Sequence, residues 1–219
     1  MLVVVRLGDD AVLPCGAPLG LEEHADRVAE AARHLSAVAR DHHLVVTYGF
    51  DSRLGPSSLE RALACRLPAD RLATVPIRVV VGAYDTVGPR SIVELRTFRI
   101  LVDSGVTVLC PGDACIPVVR TPTGALRAVG AFMDGDVVAG RLATELDADA
   151  LLLLTGGDAT GGPAGGTGPR IETLREFVGA GGWLGAVGPL SAAAEMLRSR
   201  AGVVEWGVDA TAPLAVRQG

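Results

Sequence analysis

Residues 132–182 read FMDGDVVAGRLATELDADALLLLTGGDATGGPAGGTGPRIETLREFVGAGG. From Asp136 to Leu146 the apolar residues recur at three and four spacing, which predicts an amphipathic helix. Ala150–Leu154 is a short unbroken apolar run, the pattern of a strand covered on both faces. Pro169–Ala180 repeats the helical spacing, with proline in its first turn and Gly181 just past its end, where a left-handed backbone is least costly for glycine. Between strand and helix, Thr155–Gly168 holds seven glycines among fourteen residues, so it reads as an irregular connection and a shortened lid. Helix, buried strand, connection and helix in this order form the repeat of a parallel sheet with crossover helices.

The same rhythm extends outward. Strands are expected near Leu2–Arg6, Leu44–Tyr48, Ile77–Val81, Val106–Cys110 and Leu184–Val187. Helices are expected near Leu21–Arg40, Ser58–Cys65, Arg90–Asp103, with Pro89 at its start and Gly105 beyond its end, and Leu190–Arg198. No period of repeat-protein length recurs. The expected fold is therefore α/β, a mostly parallel central sheet with helices on both faces, in one domain spanning residues 1–219.

Composition supports that class. Hydrophobic residues make up 49% of the chain and aromatics only 4%, which suits a Val/Leu/Ala-rich parallel sheet better than an aromatic-cored sandwich. All basic residues are arginine; lysine is absent. A formal net charge of -5 gives no general attraction to nucleic acid or an anionic membrane, so neither is expected as a partner. The opening MLVVVR is too short for a signal segment and no run spans a bilayer, so a cytoplasmic protein is expected. Cys15, Cys65, Cys110 and Cys115 lack zinc or CxxC spacing and read as buried free thiols, with Cys115 in a loop aimed at the cleft. His24, His34, His42 and His43 are expected in surface or helix-end roles, and no metal site is assigned.

Ligands of open parallel sheets bind beyond the carboxyl ends of the strands, so the segments after each strand are the candidates for chemistry. They read LGDDA, YGFDSRLG, CPGDACIP and TGGDAT, and they place Gly8, Asp9, Asp10, Gly49, Asp51, Arg53, Gly112, Asp113, Thr155, Gly156 and Asp158 at one edge. Asp134 and Asp136 flank Gly135 at a helix start. Each aspartate separately has a turn or cap explanation, and Asp136 reads as a cap for the helix that follows it. Several carboxylates converging on one cleft repel one another and demand a cation, a proton or an arginine. Arg53 and Arg170 are the local candidates for that role.

Five collinear blocks resemble carbamate kinase, within the amino acid kinase superfamily. VVVRLGDDAVL is similar to the loop usually written LGGNA, and LVVTYGFDSRLG to GNGPQVG. SIVELRTFRILVDSGVTVLCPGDACIPVV resembles the segment ending GGGGIPVV. GAFMDGDVVAGRLATELDADALLLLT resembles the VIDKDLAA helix and its strand, and GPRIETLREFVGAGG with AVGPL resembles GPKVEAAIRFVEAGG and its successor. The resemblance implies a three-layer α/β/α sandwich, a homodimer, and interconversion of ADP plus carbamoyl phosphate with ATP plus carbamate.

The departures fall on the positions that would handle phosphate. The lysine between the two aspartates becomes Gly135, and that of GPK becomes Arg170. A third lysine, carried on a protruding subdomain, has no counterpart because Ala83–Arg90 crosses directly. Glycines become Asp9, Asp51, Asp113, Ala114 and Cys115, the asparagine of GGN becomes Asp10, and the segment that helps hold adenine is replaced by TGGDATGGPAGGTGPR. Three readings follow. The first is a kinase-derived binding, regulatory or assembly subunit, with an unidentified protein partner. The second is a phosphotransferase on carbamoyl phosphate or a related small acyl phosphate, using ADP/ATP and Mg. In that reading Arg170, Asp134 and Asp136 would be catalytic, residues 8–10, 49, 51, 53, 112 and 113 would hold substrate, and Thr155, Gly156 and Asp158 would hold nucleotide. The third is an acid-lined cleft, built from Asp9, Asp10, Asp51 and Asp113, for a divalent metal or a cationic metabolite.

Overall fold

The computed structural model of the chain describes residues 1–12, 20–49, 58–68, 70–81, 89–111, 115–130, 133–156, 167–198 and 203–206. In chain order its elements are β1 (Leu2–Leu7), α1 (Asp9–Val12), α2 (Leu21–Asp41), β2 (His43–Tyr48), α3 (Ser58–Ala64), β3 (Leu72–Thr74), β4 (Arg78–Val80) and β5 (Ser91–Ile92). There follow α4 (Leu95–Asp103), β6 (Thr107–Pro111), β7 (Ile116–Arg120), β8 (Leu126–Ala128), α5 (Gly135–Glu145), β9 (Ala150–Thr155) and α6 (Thr167–Gly179). Then come β10 (Leu184–Pro189), a 3₁₀ turn (Leu190–Ala192), α7 (Ala193–Met196) and β11 (Val203–Trp206).

The main sheet has the order β11-β10-β9-β1-β2-β6-β3 and is parallel except for β11. Its central strands β1 and β9 are the most continuously apolar, since a strand with neighbours on both sides and helices on both faces meets no water. Alternation divides their side chains between two cores. Val3, Val5 and Leu7 face α2, which buries Val28, Ala31, Ala32, Leu35 and Val38 along one stripe. Val4, Leu151 and Leu153 face α5 and α6, which bury Val138, Leu142, Leu174 and Phe177. The expected three-layer α/β/α sandwich is present. α5 and α6 approach closely at Gly140, where a Cβ would lie 2.6 Å from Thr173 Cγ2.

Several boundaries differ from the sequence expectation. The Ile77–Val81 run forms β4 in a second sheet, β5-β4-β7-β8, rather than joining the main one. The helix expected from Arg90 begins at Leu95, because Ser91 and Ile92 pair antiparallel with β4 instead. Pro89 therefore precedes a strand, not a helix. That small sheet is fastened to the α5 layer by Ile92 N–H, which donates to Glu145 Oε2 at 3.0 Å. The Leu190–Arg198 helix is a 3₁₀ turn followed by one short α-turn. Thr155 ends β9 and Thr167 opens α6, so both ends of the glycine-rich segment are regular; residues 157–166 lie outside the described residues, as do 82–88 at the expected direct crossing. Gly105, at φ +76°, follows α4 as expected.

Two side-chain expectations also change. Cys65 is exposed, while Cys110 and Cys115 are buried; Cys15 lies outside the described residues. His24 is buried at 0% exposure within the helix layer rather than on the surface.

The register brings the strand ends level. Pro111 stands beside Tyr48, Tyr48 beside Leu7, Leu7 beside Leu154, and Leu154 beside Gly188. From β1 the chain goes to β2 on one side, and it returns to β9 on the other. This makes β1/β9 the switch point of the sheet, and the loops leaving both strands meet there.

Candidate functional site

The loops at the switch point are locked together by their backbones. Gly8 N–H donates to Leu154 O at 2.9 Å, and Ala11 N–H donates back to Gly8 O at 3.0 Å to start the single turn of α1. Beside it, a Cβ at Gly156 would collide with the Asp10 carbonyl. Glycine at 156 is thus what lets the β9 exit pass against the β1 exit. Thr155 is buried below this contact at 4% exposure.

Two helix starts open onto the same edge. Asp134 is the N-cap of α5: its Oδ1 accepts from Asp136 N–H at 2.8 Å and from Val137 N–H at 3.4 Å. The cap is therefore Asp134 and not Asp136, which corrects the sequence reading. Asp136, released from capping, sits in the first turn and accepts at Oδ2 from Arg170 Nε at 3.0 Å. Its other oxygen lies 3.5 Å from Arg6 Nε. Arg170, near the start of α6, also places Nη2 4.0 Å from Asp10 Oδ1.

Arg6 was not among the sequence candidates. It shares the Val4 face of β1, is 7% exposed, and donates from Nη1 to Leu7 O at 2.9 Å. The signal was available: period-two alternation puts Arg6 under the α5/α6 layer, one residue before the first loop. Arg6 ends an apolar run, and a charge at a strand end ordinarily faces water.

The site as described is thus a cluster of Arg6, Arg170, Asp136 and Asp10, with Asp134 engaged as a cap. Asp9, exposed, opens α1, and Gly49 follows β2 at the same edge. Asp51, Arg53, Gly112, Asp113 and Asp158 lie outside the described residues. Among the described residues no group of three or more His, Cys, Asp or Glu is gathered to hold a metal ion. Burial raises the Cys110 thiol well above its ordinary pKa. Burial, with Glu60 and Cys110 nearby, also raises the Tyr48 phenol. Neither group is thereby prepared to give up a proton near neutral pH.

A seven-stranded, mostly parallel sheet with helices on both faces, and loops converging at the β1/β9 switch point, defines a protein of the amino acid kinase fold. No family model matches the chain. It is 26% identical to a carbamate kinase from Rhizobium meliloti, over 93% of each chain. It is 40% identical to a carbamate kinase-like protein of Escherichia coli over 31% of this chain and 22% of that one. A carbamate kinase from Giardia lamblia bound to AMP-PNP superposes with a TM-score of 0.81 at 19% identity, covering 94% of this chain and 98% of that one. The chain is carbamate kinase-like in sequence over nearly its whole length and has the amino acid kinase fold. The Rhizobium alignment runs over 300 positions, more than the 219 residues of this chain, so gaps stand opposite it. Among the described residues no helix is long and apolar enough to cross a membrane.

Proposed function

We propose that this chain keeps the carbamate kinase frame without its phosphoryl transfer, and acts as a binding, regulatory or assembly subunit, as a homodimer. The observation that carries the reading is the state of the two cations in the cluster. Arg170 is bonded to Asp136 and stands near Asp10, and Arg6 is drawn to the same Asp136. Phosphoryl transfer rests on positioned positive charge and open backbone amides. Here the two guanidiniums are matched by two carboxylates, and Gly135 brings no side chain where the resemblance implies a lysine.

Magnitudes favour this reading. A carboxylate 4 Å from a phosphate charge is repelled by about 4 kcal/mol at an effective dielectric near 20, about three powers of ten in affinity. Asp9 and Asp10 at the first loop therefore weigh against a polyphosphate, and the side chains present fit Mg-nucleotide poorly. The gaps in the Rhizobium alignment are consistent with loss of the lysine-bearing subdomain.

A second reading, a phosphotransferase on a small acyl phosphate with ADP/ATP and Mg, draws on the convergence of Arg6 and Arg170 at the starts of α5 and α6. ATP formation from ADP, Mg²⁺ and carbamoyl phosphate separates the two. No turnover, together with no stabilisation by nucleotide, is expected; turnover abolished by Arg170→Ala in a folded protein would establish the second.

A further inference from the structure

α4 has two distinct sides. Phe98 at 0% exposure and Val102 at 5% lie on its inner side, in the core it shares with β6 and β2. Arg96, Ile100 and Asp103 follow one another at spacings of four and three, which puts them in one stripe on the opposite side of the helix, and all three are exposed. Ile100, at 56%, is one of three large apolar side chains so exposed among the described residues. We propose that this stripe is a self-association surface, on which α4 of a second copy of this chain packs antiparallel about a two-fold axis beside Ile100.

The order of the charges carries the proposal. Arg96 and Asp103 stand two turns apart, about 10 Å along the helix axis, too far to pair with each other. Neither forms an ion pair or a side-chain hydrogen bond among the described residues. Their midpoint falls between Arg99 and Ile100. A two-fold axis there sets Arg96 against the partner's Asp103 and Asp103 against the partner's Arg96, with Ile100 packed at the centre. A closed two-fold contact demands this reciprocity, since residue i meets residue j and j meets i. Thr97 and Ser104 repeat the relation one residue further on, both small enough to let the backbones approach. Arg99, the other charge near the axis, is engaged elsewhere: Nη2 donates to Glu145 O at 2.7 Å and to Asp147 Oδ2 at 3.0 Å. An isolated exposed isoleucine is ordinary on a protein surface. One centred between an unpaired cation and an unpaired anion has the layout of a self-complementary seam. Two helices of this length bury less than a standard interface, so the dimer dissociates on dilution.

The inference names the surface of the homodimer in the proposed function and rests on that part of the reading, while phosphoryl transfer or its absence leaves it untouched. Its test is sedimentation equilibrium of the full chain over a concentration series. The wild type should pass from monomer to dimer as concentration rises. Arg96→Asp and Asp103→Arg each set like charges face to face twice, and each should weaken dimerisation at least about tenfold. Mixed in equal amounts, the two variants should recover the dimer, because each then meets opposite charge in the other. Arg96→Asp/Asp103→Arg should recover it within one chain, and Ile100→Asp should remain monomeric. A dimer that every one of these changes leaves as strong as wild type would overturn the surface while leaving a homodimer in place. Weakening by the single changes without recovery in the mixture or the double variant would contradict the reciprocal pairing. A wild type that stays monomeric throughout would overturn the surface and the homodimer together. Should a charge reversal fail to fold, Arg96→Gln and Asp103→Asn, which only remove charge, decide in its place: dimerisation unaltered by both contradicts the proposal.

Discussion

Arg170 donates from Nε to Asp136 at 3.0 Å, and this one bond ties the start of α6 to the start of α5 directly above the β1/β9 switch point. Arg170→Met leaves Asp136 to Arg6 and removes the guanidinium that stands 4.0 Å from Asp10. Both partners are about one-fifth to one-quarter exposed, so solvent screens part of the interaction. A loss of about 1–2 kcal/mol in urea unfolding is expected. An unchanged midpoint would show that the pair contributes nothing to the fold.

Asp134 is occupied by capping, with its Oδ1 accepting from the N–H groups of Asp136 and Val137. Asp134→Ala should cost about 1 kcal/mol and Asp134→Ser should recover most of it, because serine caps as well as aspartate. Equal losses in both variants would mean that the charge, not the cap, matters at this position.

The sequence made the central strands legible because β1, β2, β6, β9 and β10 are apolar runs too short for helices and bounded by glycine or polar residues. The small sheet was not legible. β5 has two residues and β4 and β8 have three each, which is too few to show a period, and what holds Ser91–Ile92 extended is the long-range partner β4. At the site, Asp10, Asp136 and Arg170 were legible from their places after strands and at helix starts. The pairing was not. That Asp134 rather than Asp136 caps α5 depends on where the first turn begins, a one- or two-residue question that propensity leaves open. Arg6 escaped because charge at a strand end normally faces water, and only the closed α5/α6 layer buries it here.

Gly140 fixes the spacing of the α5/α6 layer. A Cβ there would lie 2.6 Å from Thr173 Cγ2 and within 3.9 Å of Leu151, so Gly140→Ala must push α6 outward or turn Thr173. A destabilisation of about 1–3 kcal/mol is expected despite the gain in helix propensity. The double variant Gly140→Ala/Thr173→Ser should recover part of it, and a lack of coupling between the two changes would place the cost elsewhere.

Burial, with the N-terminal ammonium nearby, holds the His42 imidazole below its ordinary value of 6.5, while Asp41 and Asp149 pull it up. Burial and Arg33 lower His34 likewise, against Glu30. The unfolded chain therefore takes up these protons at a higher pH than the folded chain does. The contribution is complete above about pH 6.5 and is lost as pH falls through that value toward the folded pKa values. Urea midpoints between about pH 8 and 5.5 should decline, and replacing His34 and His42 with glutamine should flatten the decline. An unaltered slope in the double variant would assign it to other groups.

The thiols should divide by exposure. In a Cys15→Ser background, Cys65 should react at once with a thiol reagent, while Cys110 and Cys115, both buried, should react only as the protein unfolds, since the thiolate is the reactive form and burial disfavours it. Rapid modification of Cys110 in the native state would contradict its burial on β6, the strand that α4 packs against.

The central claim is that the carbamate kinase frame is present here with its phosphate-handling charge neutralised from within. Its most direct test is ATP formation by the purified chain from ADP, Mg²⁺ and carbamoyl phosphate, with nucleotide-dependent thermal stabilisation measured on the same preparation. The account predicts no ATP above the uncatalysed background and no shift with ADP and Mg²⁺. ATP production that scales with the protein and disappears in Arg170→Ala would contradict it.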